Sequence, residues 1–142
     1  MTTKVVVDSC VAVKWFLREP DAAMAINLLV PDVEAIAPDF VILEIANVLW
    51  KNWRLKRIGV ELIDPALASA AAYFDELVPT THLIAEAAEL ARAIDHPVYD
   101  CIYVVAARRA SARLVTTDKK LLRKLARTAD AALAVDLAKW AP

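Results

Sequence analysis

The sequence predicts an α/β/α sandwich around a central, largely parallel twisted sheet, and three observations lead there. Short β-branched runs, KVVVD at residues 4–8 and RLVT at residues 113–116, are separated by long stretches with helical spacing. Strands alternating with helices in this way pair in parallel through right-handed crossovers. Alanine is abundant while glycine occurs once, at Gly59, which favours helices and makes glycine-dependent turns scarce. With 142 residues, 59% of them hydrophobic, the chain is expected to form one compact domain, residues 1–142, with a sizeable core.

Each element follows from local pattern. Residues 4–8 have the continuous apolar character of a buried central strand, with Asp8 at its carboxyl end. Residues 9–17 take helical spacing, with Val11, Trp15 and Phe16 as core contacts; Pro20 and Asp21 start a second helix that reaches Leu29 and closes at Pro31 and Asp32. Residues 35–37 form a short strand ended by Pro38. A long helix over residues 40–57 carries Glu44, with Asp39 as its cap and Gly59 as its terminator. Residues 61–74 are a further helix and residues 77–78 a short extended piece, before Thr81 caps a helix over residues 82–94. Pro97 breaks that pattern, and residues 98–109 read as a helix apolar nearly all round except at Asp100. After the strand at residues 113–116, Asp118 opens a basic helix over residues 119–127; residues 132–135 make a last edge strand and Trp140 packs the tail.

Composition excludes several chemistries. One glycine cannot supply a dinucleotide fingerprint or a phosphate-cradling loop, both of which need backbone to approach phosphate without a side chain in the way. No apolar stretch approaches the roughly 18 residues needed to cross a bilayer, and the first residues run straight into a strand, so a cytoplasmic location is expected. Cys10 and Cys101, with only His82 and His96 beside them, make neither a disulfide framework nor a zinc-ligand spacing; both cysteines read as small core residues. The net charge of -1 gives no general bias toward nucleic acid, yet every charged side chain between Cys101 and Arg127 is basic except Asp118.

Asp8, Glu44, Asp100 and Asp118 stand where an acid is unwelcome, at the ends of apolar strands or inside apolar helical runs. Burying an unpartnered carboxylate costs several kcal/mol, so such a set implies a shared polar pocket. Asp8 and Asp118 follow strands and so belong on the carboxyl rim of the sheet, where open α/β folds place their functional crevice. Each has a bland alternative: Asp8 and Asp118 as simple helix caps, Glu44 as the wet edge of an amphipathic helix, and Asp100 as a buried partner of Arg108 or Arg109. Two like charges about 4 Å apart repel by roughly 4 kcal/mol at an effective dielectric of about 20, so converging carboxylates need a counter-ion. An all-oxygen set selects Mg2+ or Mn2+.

With those residues in hand, the chain resembles the PIN-domain family, and within it the VapC toxins of toxin-antitoxin pairs. The resemblance rests on VVVDSCVAVKWF with Asp8, LEIANVLWK with Glu44 and Asn47, VYDCIYVVAA with Asp100, and LVTTDKKLL with Thr116 and Asp118. It implies a PIN-like fold and a metal-dependent ribonuclease, with Asp8, Glu44, Asp100 and Asp118 forming the acidic site and Asp8 and Asp100 as the principal metal ligands. It further implies Ser9, Asn47 and Thr116 as supporting or site-lining groups, a homodimer, and a VapB-like antitoxin that covers the site. The family commonly has threonine where this chain has Ser9, which keeps the hydroxyl.

The leading expectation is hydrolysis of an RNA phosphodiester by water activated at one or two Mg2+ or Mn2+ ions. Lys120, Arg123, Lys124 and Arg127 share one side of the basic helix as possible RNA contacts, or else form an ordinary solvated face. Trp15, Trp50 and Trp53 read as core, while Trp50 and Trp53, rimmed by Lys51, Arg54, Lys56 and Arg57, also fit an interface patch. The alternative function is a non-catalytic RNA- or protein-binding module whose acids hold a structural metal or receive a partner's arginine. A cysteine hydrolase built on Cys101 with His96 or His82 is disfavoured by apolar surroundings, and a haloacid-dehalogenase-type phosphatase by the Asp8-Ser9-Cys10 spacing.

Overall fold

A computed structural model describes residues 1–142. Five strands form one sheet: β1 (Thr3–Val7), β2 (Val33–Pro38), β3 (Glu76–Val78), β4 (Arg113–Thr116) and β5 (Ala134–Asp136). They lie in the order β3-β2-β1-β4-β5, and every neighbouring pair is parallel. The helices are α1 (Ser9–Ala12), α2 (Ala22–Ile26), α3 (Val41–Arg54), α4 (Val60–Ser69), α5 (Ile84–Ile94), α6 (Val98–Ala110) and α7 (Lys119–Leu125). The chain winds outward from β1 through β2 to β3, then returns past β1 to β4 and β5. Right-handed crossovers therefore put α1 to α4 on one face and α5 to α7 on the other, giving the α/β/α arrangement of a PIN-like fold.

The central strand is β1, and Val5, Val6 and Val7 are buried because both faces of the sheet are covered. Helix α6 packs across β1, β2 and β4 and is itself covered by α5. That double cover explains why Cys101 to Ala107 are buried in unbroken sequence.

Several local expectations change in the folded chain. Residues 9–17 make one α-helical turn, which tightens into a 3-10 turn over Val13–Trp15. Trp15 packs on the core against Tyr73 and Phe74, and its indole N–H donates to the Ala25 carbonyl at 2.9 Å. The terminator of α3 is not Gly59 but the turn after Arg54, where Lys56 adopts the left-handed conformation with φ 58°. Gly59 sits in extended backbone at the start of α4. The Asp39 carboxylate does not cap α3; it accepts from the Thr80 backbone N–H at 3.0 Å and hydroxyl at 2.6 Å, tying the end of β2 to the end of β3. Thr81 consequently lies within a 3-10 turn, Thr80–His82, and α5 begins only at Ile84.

Pro38 is the last residue of β2, and the expected helix over residues 61–74 relaxes after Ser69 into a 3-10 turn, Ala70–Tyr73. Helix α7 ends at Leu125, so Arg127 belongs to the following turn, and β5 lies about two residues later than the pattern suggested. No helix is long and apolar enough to cross a membrane.

The left-handed Lys56 is exposed and carries a conformational cost that glycine avoids. Lys56→Gly is expected to raise stability by about 0.5–1 kcal/mol, read as a higher urea midpoint with unchanged slope. A lower midpoint contradicts this account of the turn.

Candidate active site

The winding direction reverses between β1 and β4, and in an open parallel sheet the loops at such a point separate to leave a crevice beyond the strand ends. Asp8 follows β1 and Asp118 follows β4 on that rim. Asp8 precedes α1 but makes no side-chain cap; its carboxylate is turned into the fold and is only 5% exposed. The buried Thr116 hydroxyl donates to Asp8 Oδ2 at 2.8 Å, and Ser9 makes a long contact of 3.4 Å to Oδ1. Thr116 Oγ1 also accepts from the Asp118 backbone N–H at 3.0 Å, so one hydroxyl braces both rim loops. Asp118 does cap its helix, accepting from the Leu121 N–H at 3.0 Å through Oδ1, while Oδ2 faces inward.

Glu44 and Asp100 come from the first turns of α3 and α6, helices on opposite faces that meet beyond the strand ends. The buried Tyr103 hydroxyl, one turn after Asp100, donates to Glu44 Oε1 at 2.6 Å. Glu44 and the exposed Asn47 line a surface cleft of about 530 Å³ with Phe40, Leu43, Val48 and Tyr99. Asp100 Oδ2 lies 2.9 Å from Nε2 of His96, and Asp118 Oδ2 lies 3.7 Å from the same nitrogen. One donor atom from each of His96, Asp100 and Asp118 falls within 4.8 Å of the others. Arg108 instead pairs with Asp130 and Glu86, and Arg109 with Glu86, so the arginine expected as a bland partner for Asp100 is engaged elsewhere.

The acids disturb one another. Burial pushes the Asp8 carboxyl up to about 6, the Thr116 hydroxyl partly offsets this, and the charge of Asp100 adds to the rise. Burial also raises Glu44, opposed by the Tyr103 hydroxyl and reinforced by the charges of Asp8 and Asp100. Asp100 is raised by burial, held back by His96 and pushed further by Asp118. No lysine or arginine bridges any of the four. The thiols are inert by comparison: burial first, then neighbouring carboxylate charge, pushes Cys10 up to about 12 and Cys101 to about 11, which leaves no thiolate for a cysteine hydrolase. Cys10 lies under the rim, with Sγ 3.5 Å from Thr116 Oγ1.

These donors fit a divalent cation: carboxylate oxygens without a basic counter-charge, and a buried imidazole without a directed hydrogen bond on either nitrogen. His96 and Tyr103 are the residues that sequence reasoning missed. His96 stands four positions before Asp100, but the intervening Pro97 disguised the helical register, and Tyr103 was hidden in an apolar run where only its hydroxyl is polar. Of the basic side chains, Lys120, Arg123 and Arg127 are exposed, whereas Lys124 is half-buried and donates to the Asp95 carbonyl.

The PIN domain model matches residues 5–128, and the chain belongs to the PIN domain family, a nuclease-type fold. Among solved structures it is similar to PAE2754 from Pyrobaculum aerophilum, at 22% identity and a TM-score of 0.69, covering 96% of this chain and 85% of that one. A toxin-antitoxin complex from Klebsiella pneumoniae is similar at 14% identity and a TM-score of 0.61, covering 94% of this chain and 97% of that one. No curated protein matches the sequence significantly.

The raised Asp8 carboxyl sets a pH dependence of defined sign. Its folded value of about 6 lies above the unfolded value near 4, so its contribution favours folding fully below about pH 4 and is lost as pH rises through about 6. In chelator, Asp8→Asn is expected to be more stable than the parent by about 2–3 kcal/mol at about pH 8, with the difference vanishing near pH 4. Urea denaturation across pH checks this; a variant less stable than the parent at the higher pH contradicts it.

Proposed function

We propose that this chain is a VapC-like endoribonuclease that hydrolyses RNA phosphodiesters with a divalent ion, Mg2+ or Mn2+, held at the rim of the sheet. The observation that carries the reading is that Asp8, Glu44 and Asp100 each have their proton affinity raised by the charge of another of the four acids, with Asp118 beside Asp100 at His96 and no lysine or arginine to neutralise them. Asp8 and Asp100 are the principal ligands, and Glu44 and Asp118 complete the acidic ring. Thr116 holds Asp8 and the Asp118 loop in register, Ser9 supports Asp8, and Tyr103 fixes the Glu44 carboxylate. The bound ion lowers the pKa of water and stabilises charge on the phosphate.

Substrate enters along the cleft beside Glu44, where Asn47 offers an amide and Tyr99 an exposed ring on which a base can stack. Lys120, Arg123, Lys124 and Arg127 extend a positive track for neighbouring phosphates. One domain, residues 1–142, contains all of these parts. The protein acts in the cytoplasm as a homodimer restrained by a VapB-like antitoxin. An exposed strip on α3 supports such partners: Leu43 is 71% exposed and Trp50 and Trp53 are each 47% exposed, with Arg54 over the Trp50 ring.

Incubated with an RNA pool and Mn2+, the protein is expected to leave 5'-phosphate and 3'-hydroxyl ends, and Asp8→Asn or Asp100→Asn to lower the rate at least about a hundredfold. Cyclic-phosphate ends, or RNA binding without mutation-sensitive cleavage, contradict the proposal, and the second result favours a non-catalytic binding module. Replacing Lys120 and Lys124 with Ala is expected to reduce the salt slope of RNA binding by about 1–2; an unchanged slope removes the basic track.

A further inference from the structure

The His96 ring is out of place in a simple acidic pocket. It is 3% exposed at the side chain, yet neither ring nitrogen makes a directed hydrogen bond. Nε2 is close to Asp100 Oδ2, at 2.9 Å, but the oxygen lies off the direction of a ring N–H, and Nδ1 has no acceptor at all. A buried polar atom left unpaired destabilises the fold, so the ring should have a partner that protein atoms do not supply.

Its surroundings say which kind. His96 Nε2 lies 2.9 Å from Asp100 Oδ2 and 3.7 Å from Asp118 Oδ2, and one donor atom from each of the three residues lies within 4.8 Å of the others. Donors on an ion with bonds of about 2.1 Å stand about 3 Å apart when adjacent and about 4 Å apart when opposite, close to the 2.9 and 3.7 Å that separate Nε2 from the two carboxylate oxygens. The ring is also delivered rigidly. Asp95 takes the left-handed conformation that ends α5, the His96 N–H bonds to the Ala91 carbonyl at 3.2 Å, and Pro97 fixes the backbone that follows.

We propose that His96 Nε2 is a direct ligand of the divalent ion beside Asp100 and Asp118, and that this nitrogen makes the site prefer Mn2+ and other first-row transition ions to Mg2+. The inference rests on the metal-dependent reading above. Imidazole nitrogen binds the later first-row ions most strongly and Mn2+ least among them, but Mg2+ keeps to oxygen and water, so a nitrogen ligand favours Mn2+ over Mg2+. An ion at Nε2 gives that nitrogen the partner that the fold does not supply.

The test is pulsed EPR on the wild-type protein loaded with Mn2+, paired with calorimetric titration of Mn2+ and Mg2+. The expected spectrum carries nitrogen modulation from a directly bound imidazole, and its frequencies change when the protein is made with 15N-histidine, which requires no mutation. His82, the other histidine, is exposed on the 3-10 turn before α5, so His96→Gln is expected to abolish the modulation. The same variant is expected to lose at least about tenfold in Mn2+ affinity while Mg2+ affinity changes less than about twofold. Bound Mn2+ without nitrogen modulation, or equal losses for both ions, overturns the role of His96 and leaves the ribonuclease reading standing. Absence of any Mn2+ binding overturns both.

Discussion

The reversal of winding between β1 and β4 is the constraint on which the rest of the molecule depends. It places the carboxyl ends of two neighbouring central strands beside a gap, with connections leaving in opposite directions and helices arriving from both faces. Asp8 and Asp118 are delivered by those strands, Glu44 and Asp100 by the first turns of α3 and α6. Thr116 holds the arrangement together at its narrowest point, since its single hydroxyl donates to Asp8 and accepts from the Asp118 backbone. A valine of similar shape there would leave Asp8 without its best donor and the rim loop without an acceptor.

The pocket is a stability deficit built into a stable frame. Around it, the sheet and α6 bury an uninterrupted apolar core, and nearby basic side chains are engaged elsewhere, Arg108 with Asp130 and Lys119 with Asp136. The acids are left to raise one another's proton affinity, in the direction that an arriving cation reverses. Sites that bind charge commonly hold their groups in an arrangement the fold alone would not choose. Here the surrounding core is extensive enough to sustain it.

Much of this was legible in the sequence because it obeys short-range rules. The β-branched runs marked β1 and β4, and an aspartate directly after each strand marked the rim. Asp100 stood out because every helical direction around it is apolar, and Glu44 because its polar neighbours form one narrow stripe. What escaped depends on long-range contacts or unusual backbone. Asp39 looked like a helix cap until the approach of Thr80 offered a better pair of donors. Gly59 looked like a helix terminator, yet Lys56 turns left-handed first. His96 was separated from Asp100 by a proline that suggested a break, whereas Pro97 is the residue immediately before α6 and leaves the histidine leaning over its first turn.

The central claim is that carboxylates from four segments of the chain converge to grip one kind of ion at the end of the sheet. Anomalous diffraction from crystals grown with Mn2+, recorded on both sides of the manganese edge, tests it most directly. The account predicts a manganese peak between Asp8, Asp100 and Asp118, at the carboxyl ends of β1 and β4. A peak confined to other surface carboxylates, or none at this rim at saturating Mn2+, contradicts it.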